Sequence, residues 1–131
     1  MGNLEMLTLD ELATGFVYRG DKTDTWRILD RSDLRGDCDD YACTALFIAT
    51  GSMWSFWMAL IFGSAKIHYI TTHNGVGHAV LQFEGMYIDN WTRKYVTKQY
   101  MEDICGHKFH WFWFPFPATA LKMALGRFYR G

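Results

Sequence analysis

The chain has 131 residues, of which 50% are hydrophobic and 18% aromatic, with a formal net charge of −1 at pH 7. That length suits one domain built on a single core, and the apolar content excludes a disordered chain. The balanced charge gives no support to an extended nucleic-acid surface, so proteins, peptides or small molecules are the expected partners.

From the N-terminus, Glu5, Asp10 and Glu11 occupy the region where an export signal would carry basic residues and an apolar run, so a cytoplasmic chain is expected. Thr8 is suited to cap a short helix opening at Leu9-Asp10-Glu11-Leu12. Residues 20–35 are polar and turn-rich, and read as an irregular lead-in anchored on the core by Trp26, Ile28 and Leu29. Over residues 38–50 apolar side chains recur at helical spacing, and Gly51 supplies a left-handed stop. Asp37, Asp39 and Asp40 stand at the start of this helix, where carboxylates suit the positive end of the dipole and Asp37 can cap free amides. Cys43 points away from Cys38 on such a helix and reads as a small core residue. With Cys105 the cysteines number three and lack zinc-type spacing, which argues against a disulfide framework and leaves at least one free thiol.

Ser52 is placed to cap a second apolar segment reaching Phe62, although Trp54-Ser55-Phe56-Trp57 suits a strand equally well. Neither this segment nor residues 111–117 approaches the roughly 20 apolar residues that span a bilayer, so no membrane segment is expected. Residues 66–72 favour a strand, and His73-Asn74-Gly75 a turn. Residues 78–83 and 86–90 read as a hairpin around Glu84-Gly85. With a two-residue turn, Val80 lies opposite Asp89, and alternation puts His78 and Asp89 on one face as diagonal neighbours. A turn one residue longer or shorter separates them. Residues 96–104 suit a short helix, residues 108–116 an aromatic strand ended by Pro115 and Pro117, and residues 118–125 a closing helix.

A thiol attacks as thiolate, and a helix N-terminus and a nearby imidazolium both lower its pKa. Cys38 has the first by local sequence, can gain the second from His78, and is opposed by three neighbouring acids. Its own amide is a candidate oxyanion donor, because the first amides of a helix are unpaired. Singly, Cys38 reads as a buried small residue, His78 as a satisfied strand histidine and Asp89 as a turn former; together they form a Cys-His-Asp set. Trp26 is a candidate wall of the oxyanion pocket, and Asn90 a candidate support for the hydrogen bonds around Asp89. His68, His73, His107 and His110 read as surface or satisfied histidines, since the His107/His110 pair lacks a firm third ligand for zinc. The aromatic run after Lys108 reads as core strand rather than substrate groove.

The blocks Gly36-Asp37-Cys38-Asp39-Asp40-Tyr41-Ala42, Gly77-His78-Ala79-Val80-Leu81 and Ile88-Asp89-Asn90 closely resemble the bacterial transglutaminase-like cysteine peptidases, in order and approximate spacing, over residues 26–91. The resemblance implies one α/β (α+β) domain with a compact, papain-related core, its nucleophile at a helix N-terminus packed on an antiparallel sheet. It implies Cys38 as nucleophile, His78 as general base and acid, and Asp89 as the residue orienting the imidazole. It also implies a calcium site at Asp37 and Asp39, with Asp40 a further candidate, although helix capping explains Asp37 equally well. No other cofactor is implied. The expected reaction is hydrolysis of a peptide or isopeptide amide through a Cys38 thioester. Amine-accepting acyl transfer, and a non-catalytic protein-binding module on the same fold, are the alternatives. The chain is shorter than the better-studied secreted members, a compact form suited to a phage or an intracellular process.

Overall fold

The computed structural model describes residues 7–19, 26, 28–30 and 33–113, with side chains through residue 110. Most of the lead-in over residues 20–35, the strand end at Pro115 and Pro117 and the closing helix over residues 118–125 lie outside the described residues.

Helix α1 (Leu9–Gly15) starts where its sequence directs: the Thr8 hydroxyl accepts from the Glu11 amide and the Glu11 carboxylate accepts from the Thr8 amide, a reciprocal capping box. Leu12 and Phe16 then enter the core, where Phe16 meets Tyr41 edge to face at 5.0 Å. Strand β1 (Val17–Tyr18) pairs in parallel with β2 (Arg35–Gly36), a long-range contact with no counterpart in the sequence pattern.

Strand β2 runs directly into α2 (Cys38–Thr50). A second capping box starts this helix: Asp37 Oδ1 accepts from the Asp40 amide at 3.1 Å and Asp40 Oδ2 accepts from the Asp37 amide at 3.2 Å. Gly36 makes this possible, because a Cβ there would stand 2.7 Å from Asp40 Oδ2. Gly51, at φ 84°, ends the helix in the left-handed conformation expected of it. The following segment is helix α3 (Met53–Phe62), capped by Ser52 and stopped at Gly63, which resolves the helix-or-strand ambiguity. It buries Phe56 and Ala59 in the core.

Strands β3 (Ala65–Thr71), β4 (Gly77–Phe83), β5 (Met86–Ile88) and β6 (Lys108–Trp113) form an antiparallel sheet in the order β5-β4-β3-β6. Glu84 and Gly85 have φ of 50° and 84°, as a two-residue hairpin turn that follows strand twist requires. The turn pairs Phe83 with Met86 and Leu81 with Ile88, the register on which the His78 and Asp89 juxtaposition depends. Helix α4 is shorter than the sequence suggests, spanning Lys98–Asp103, because Val96 exchanges backbone hydrogen bonds with Tyr87 instead of starting a helix.

Alternation along β3 and β4 builds two cores. Ala65, Ile67, Ala79 and Leu81 pack with Leu12, Tyr41, Ala45 and Leu46, while Ile70 and Val80 pack with Val96 and Met101. Cys43 is fully buried in the first core, the role expected of it, and Phe109 packs against the second. The protein is thus of mixed α and β structure with an antiparallel sheet. Among the described residues no single helix is long and apolar enough to cross a membrane.

Candidate active site

Cys38 is the first residue of α2, and the sheet edge determines where its sulfur lies. The two-residue hairpin directs the amides of Phe83, Leu81 and, by alternation, Ala79 toward the β5 side of β4. Strand β5 ends at Ile88, opposite Leu81, so the Ala79 amide has no strand partner there. It donates to Cys38 Sγ at 3.3 Å.

His78 precedes Ala79, and its Nε2 lies 2.8 Å from Asp89 Oδ2. Asp89 follows directly on β5 and is fully buried. Its Oδ1 accepts from the amides of Trp91 at 3.1 Å and Thr92 at 2.8 Å, and its Oδ2 accepts a second imidazole, His107 Nε2, also at 2.8 Å. These contacts fill the roughly four acceptor positions of a carboxylate. An ionised carboxylate only accepts, so each ring carries a proton on Nε2, and in the neutral ring Nδ1 is the basic nitrogen. That is the tautomer a base needs when its other nitrogen is held by an orienting acid.

Burial alone would raise the Asp89 pKa. The hydrogen bonds from His107 and His78, the charge of His78 and the Thr92 amide outweigh it and hold the carboxyl well below the usual range. Cys38 is pushed the other way, up to about 12, chiefly by burial and then by the Asp39 carboxylate, with Asp37 adding to the rise. The amides of Ala79 and Asp39 oppose this only in part. The helix N-terminus therefore does not deliver the resting thiolate that its position alone suggests. Sγ makes no hydrogen bond to the His78 ring in this resting arrangement; such contacts commonly tighten when substrate binds.

Cys38 and His78 open on one cleft of about 340 Å³, walled by Tyr18, Val76, Asn90 and Trp91. Tyr18 reaches it through the β1–β2 pairing. Trp91 packs on the rings of His107, His78 and His73, with centroids 4.9, 5.5 and 5.7 Å away, and covers the imidazole pair on the cleft side. Asn90 lines the cleft with Oδ1 buried and without a hydrogen-bond partner, while the bonds around Asp89 come from Trp91, Thr92 and the two histidines. Trp26 is fully buried in the main core and is not among the residues lining the cleft.

His68 and His110 are satisfied by Gln82 and Thr71, each at 2.7 Å. His107 was not legible as a site residue. The signal that points to it is a repeat, because Gly106-His107 matches Gly77-His78 and both flank the same end of β3, where Thr71 pairs with Gly77 on one side and Lys108 on the other.

The ligand atoms of His78, Asp89 and His107 lie within 4.8 Å of one another, close enough to consider a cation. The donor set does not call for one, since imidazole and amide protons already occupy the acceptor positions of Asp89. At the calcium positions implied by the resemblance, Asp37 is engaged as helix cap and Asp39 bears on the thiol by its charge.

Comparison of the chain with protein-family models, with curated proteins and with solved structures gives no match. The functional reading therefore rests on the residues and their geometry.

Proposed function

We propose that the protein is a cysteine-dependent hydrolase of transglutaminase-like, papain-related type that cleaves a peptide or isopeptide amide through a thioester on Cys38. The observation that carries this reading is the 2.8 Å contact between His78 Nε2 and Asp89 Oδ2, one residue from the backbone amide that holds the Cys38 sulfur.

Because the thiol is protonated at rest, proton removal accompanies attack. His78 Nδ1 takes the thiol proton as Sγ bonds to the substrate carbonyl carbon, while the Ala79 amide steadies the charge developing on sulfur. The carbonyl electron pair moves onto oxygen, where the Cys38 amide at the helix N-terminus is a donor for the oxyanion. His78 then returns the proton to the leaving amine as the C–N bond breaks, which leaves the thioester. In the second half a water gives a proton to His78 and its oxygen to the carbonyl carbon. Collapse releases the carboxylic acid and restores the thiol. Asp89 keeps the ring oriented and stabilises the imidazolium in both halves. An amine in place of water gives acyl transfer through the same thioester.

Calcium at Asp37 and Asp39 fits this scheme as an aid to the nucleophile, because a bound cation would offset the two carboxylates that raise the thiol pKa. One observation favours a different class. A thiol pushed up to about 12, beside a cleft walled by the exposed Tyr18, Val76 and Trp91, also suits a module that binds a peptide without cleaving it.

A library of peptide coumarin amides separates the readings. Release of fluorophore by the wild type, abolished in Cys38→Ala and His78→Ala, supports hydrolysis. An amine adduct found by mass analysis at high amine concentration supports transfer. Binding of the same peptides without turnover supports the module.

A further inference from the structure

The catalytic scheme needs one imidazole on Asp89, and the structure supplies two. His107 is 2% exposed, donates from Nε2 to the oxygen that His78 uses, and leaves its Nδ1 buried with no hydrogen-bond partner. A buried polar ring with one nitrogen unsatisfied costs stability, so replacing it with an apolar ring would be expected to relieve strain if packing were its purpose. The surrounding chain is also shaped to hold it: Gly106 adopts φ 76°, and a Cβ there would approach His73 Cβ to 2.8 Å.

We infer that His107 is a positioning residue that acts on His78 through Asp89, fixing the carboxylate and sharing its charge. This inference rests on the hydrolase reading only for its kinetic consequence. Two donors on Oδ2, with two amides on Oδ1, leave the carboxylate a single orientation. They also divide its accepting capacity, so His78 receives part of the stabilisation that an unshared Asp89 would give its protonated form.

The groups facing this set are few enough to control. Cys38 and Tyr41 approach from α2, His73 from the β3–β4 turn by way of Trp91, Cys105 from the segment before His107, and Arg93 from the loop after Asp89. None of them donates to Asp89 Oδ2.

The test compares wild type, His107→Phe and His107→Gln, the last retaining an N–H donor. In His107→Phe the Asp89 Oδ2 falls to His78 alone, its imidazolium is favoured, and the acid limb of the kcat/KM profile moves to higher pH by about half to one unit, so that activity on that limb falls about 3- to 10-fold. His107→Gln restores most of the limb. The same shift is expected in the His78 ring titration followed by NMR, which requires no substrate. An unchanged His78 titration in His107→Phe overturns the inference, and so does an equal shift in His107→Gln. If no peptide is turned over by the wild type, the hydrolase reading fails while the NMR titration still decides the role of His107.

Discussion

Cys38 Sγ accepts the amide of Ala79 at 3.3 Å, so the backbone of β4 holds the sulfur one residue beyond the His78 imidazole. The bond exists because β5 is short: had it continued past Ile88, the Ala79 amide would face another strand. A sheet edge left unpaired thereby becomes the means of aligning a helix N-terminus with a histidine. The same amide lowers the thiol pKa, against burial and the Asp39 carboxylate, which together push it up to about 12.

This balance predicts the reactivity of the free protein. Alkylation of Cys38 by iodoacetamide is expected to be slow at pH 7 and to climb with pH without a plateau below about pH 9. Asp39→Asn should speed it several-fold at neutral pH by removing the largest raising charge. Intact-mass time courses across pH check both; a plateau near pH 6 would mean a preformed thiolate–imidazolium pair.

The proposed calcium site uses the same carboxylates. Its addition is predicted to accelerate Cys38 alkylation, and EGTA to reverse the effect, with no acceleration in the Asp37→Asn, Asp39→Asn double variant. A rate indifferent to calcium in the wild type removes the cation from the account.

Gly36→Ala should destabilise the fold by about 1–3 kcal/mol, because its Cβ would stand 2.7 Å from Asp40 Oδ2 and break the box that caps α2. Denaturant titration measures this, and an unchanged midpoint would show that the terminus accommodates a methyl group.

Asp89 links the site to acid stability. Its folded-state pKa is depressed, so its contribution is present above the unfolded-state value of about 4 and is lost as pH falls below it. Wild-type stability should therefore drop below pH 4 more steeply than that of Asp89→Asn. The same variant should lose kcat by about 10³- to 10⁴-fold, since the Trp91 and Thr92 amides would hold the side-chain oxygen and leave the donor NH2 where the imidazoles need an acceptor. Parallel acid-unfolding curves for the two proteins would contradict the first expectation.

Features fixed by local chemistry were legible in the sequence. Asp37, Cys38 and Gly51 bound α2 through a cap and a left-handed stop, and Glu84-Gly85 fixes the register that brings His78 to Asp89. Helix α3 was ambiguous because its run is apolar on every side, so periodicity carried no information. What tertiary pairing alone decides was not legible. Trp26, near Cys38 in sequence, went to the main core, whereas Tyr18 reached the cleft through parallel pairing of β1 with β2. His107 looked ordinary until β3 placed it beside His78. The state of the thiol stayed open in the sequence because helix dipole and neighbouring acids oppose each other, and only burial and proximity decide between them.

The most direct test of the central claim is acylation of the protein by a peptide p-nitrophenyl ester, followed by intact mass at neutral pH in wild type, Cys38→Ala and His78→Ala, each shown to be folded by circular dichroism. The account predicts one acyl group on Cys38 in the wild type, none in Cys38→Ala, and formation slowed at least about 100-fold in His78→Ala. Acylation at equal rate without His78, or an acyl group on Cys43 or Cys105 instead of Cys38, would contradict it.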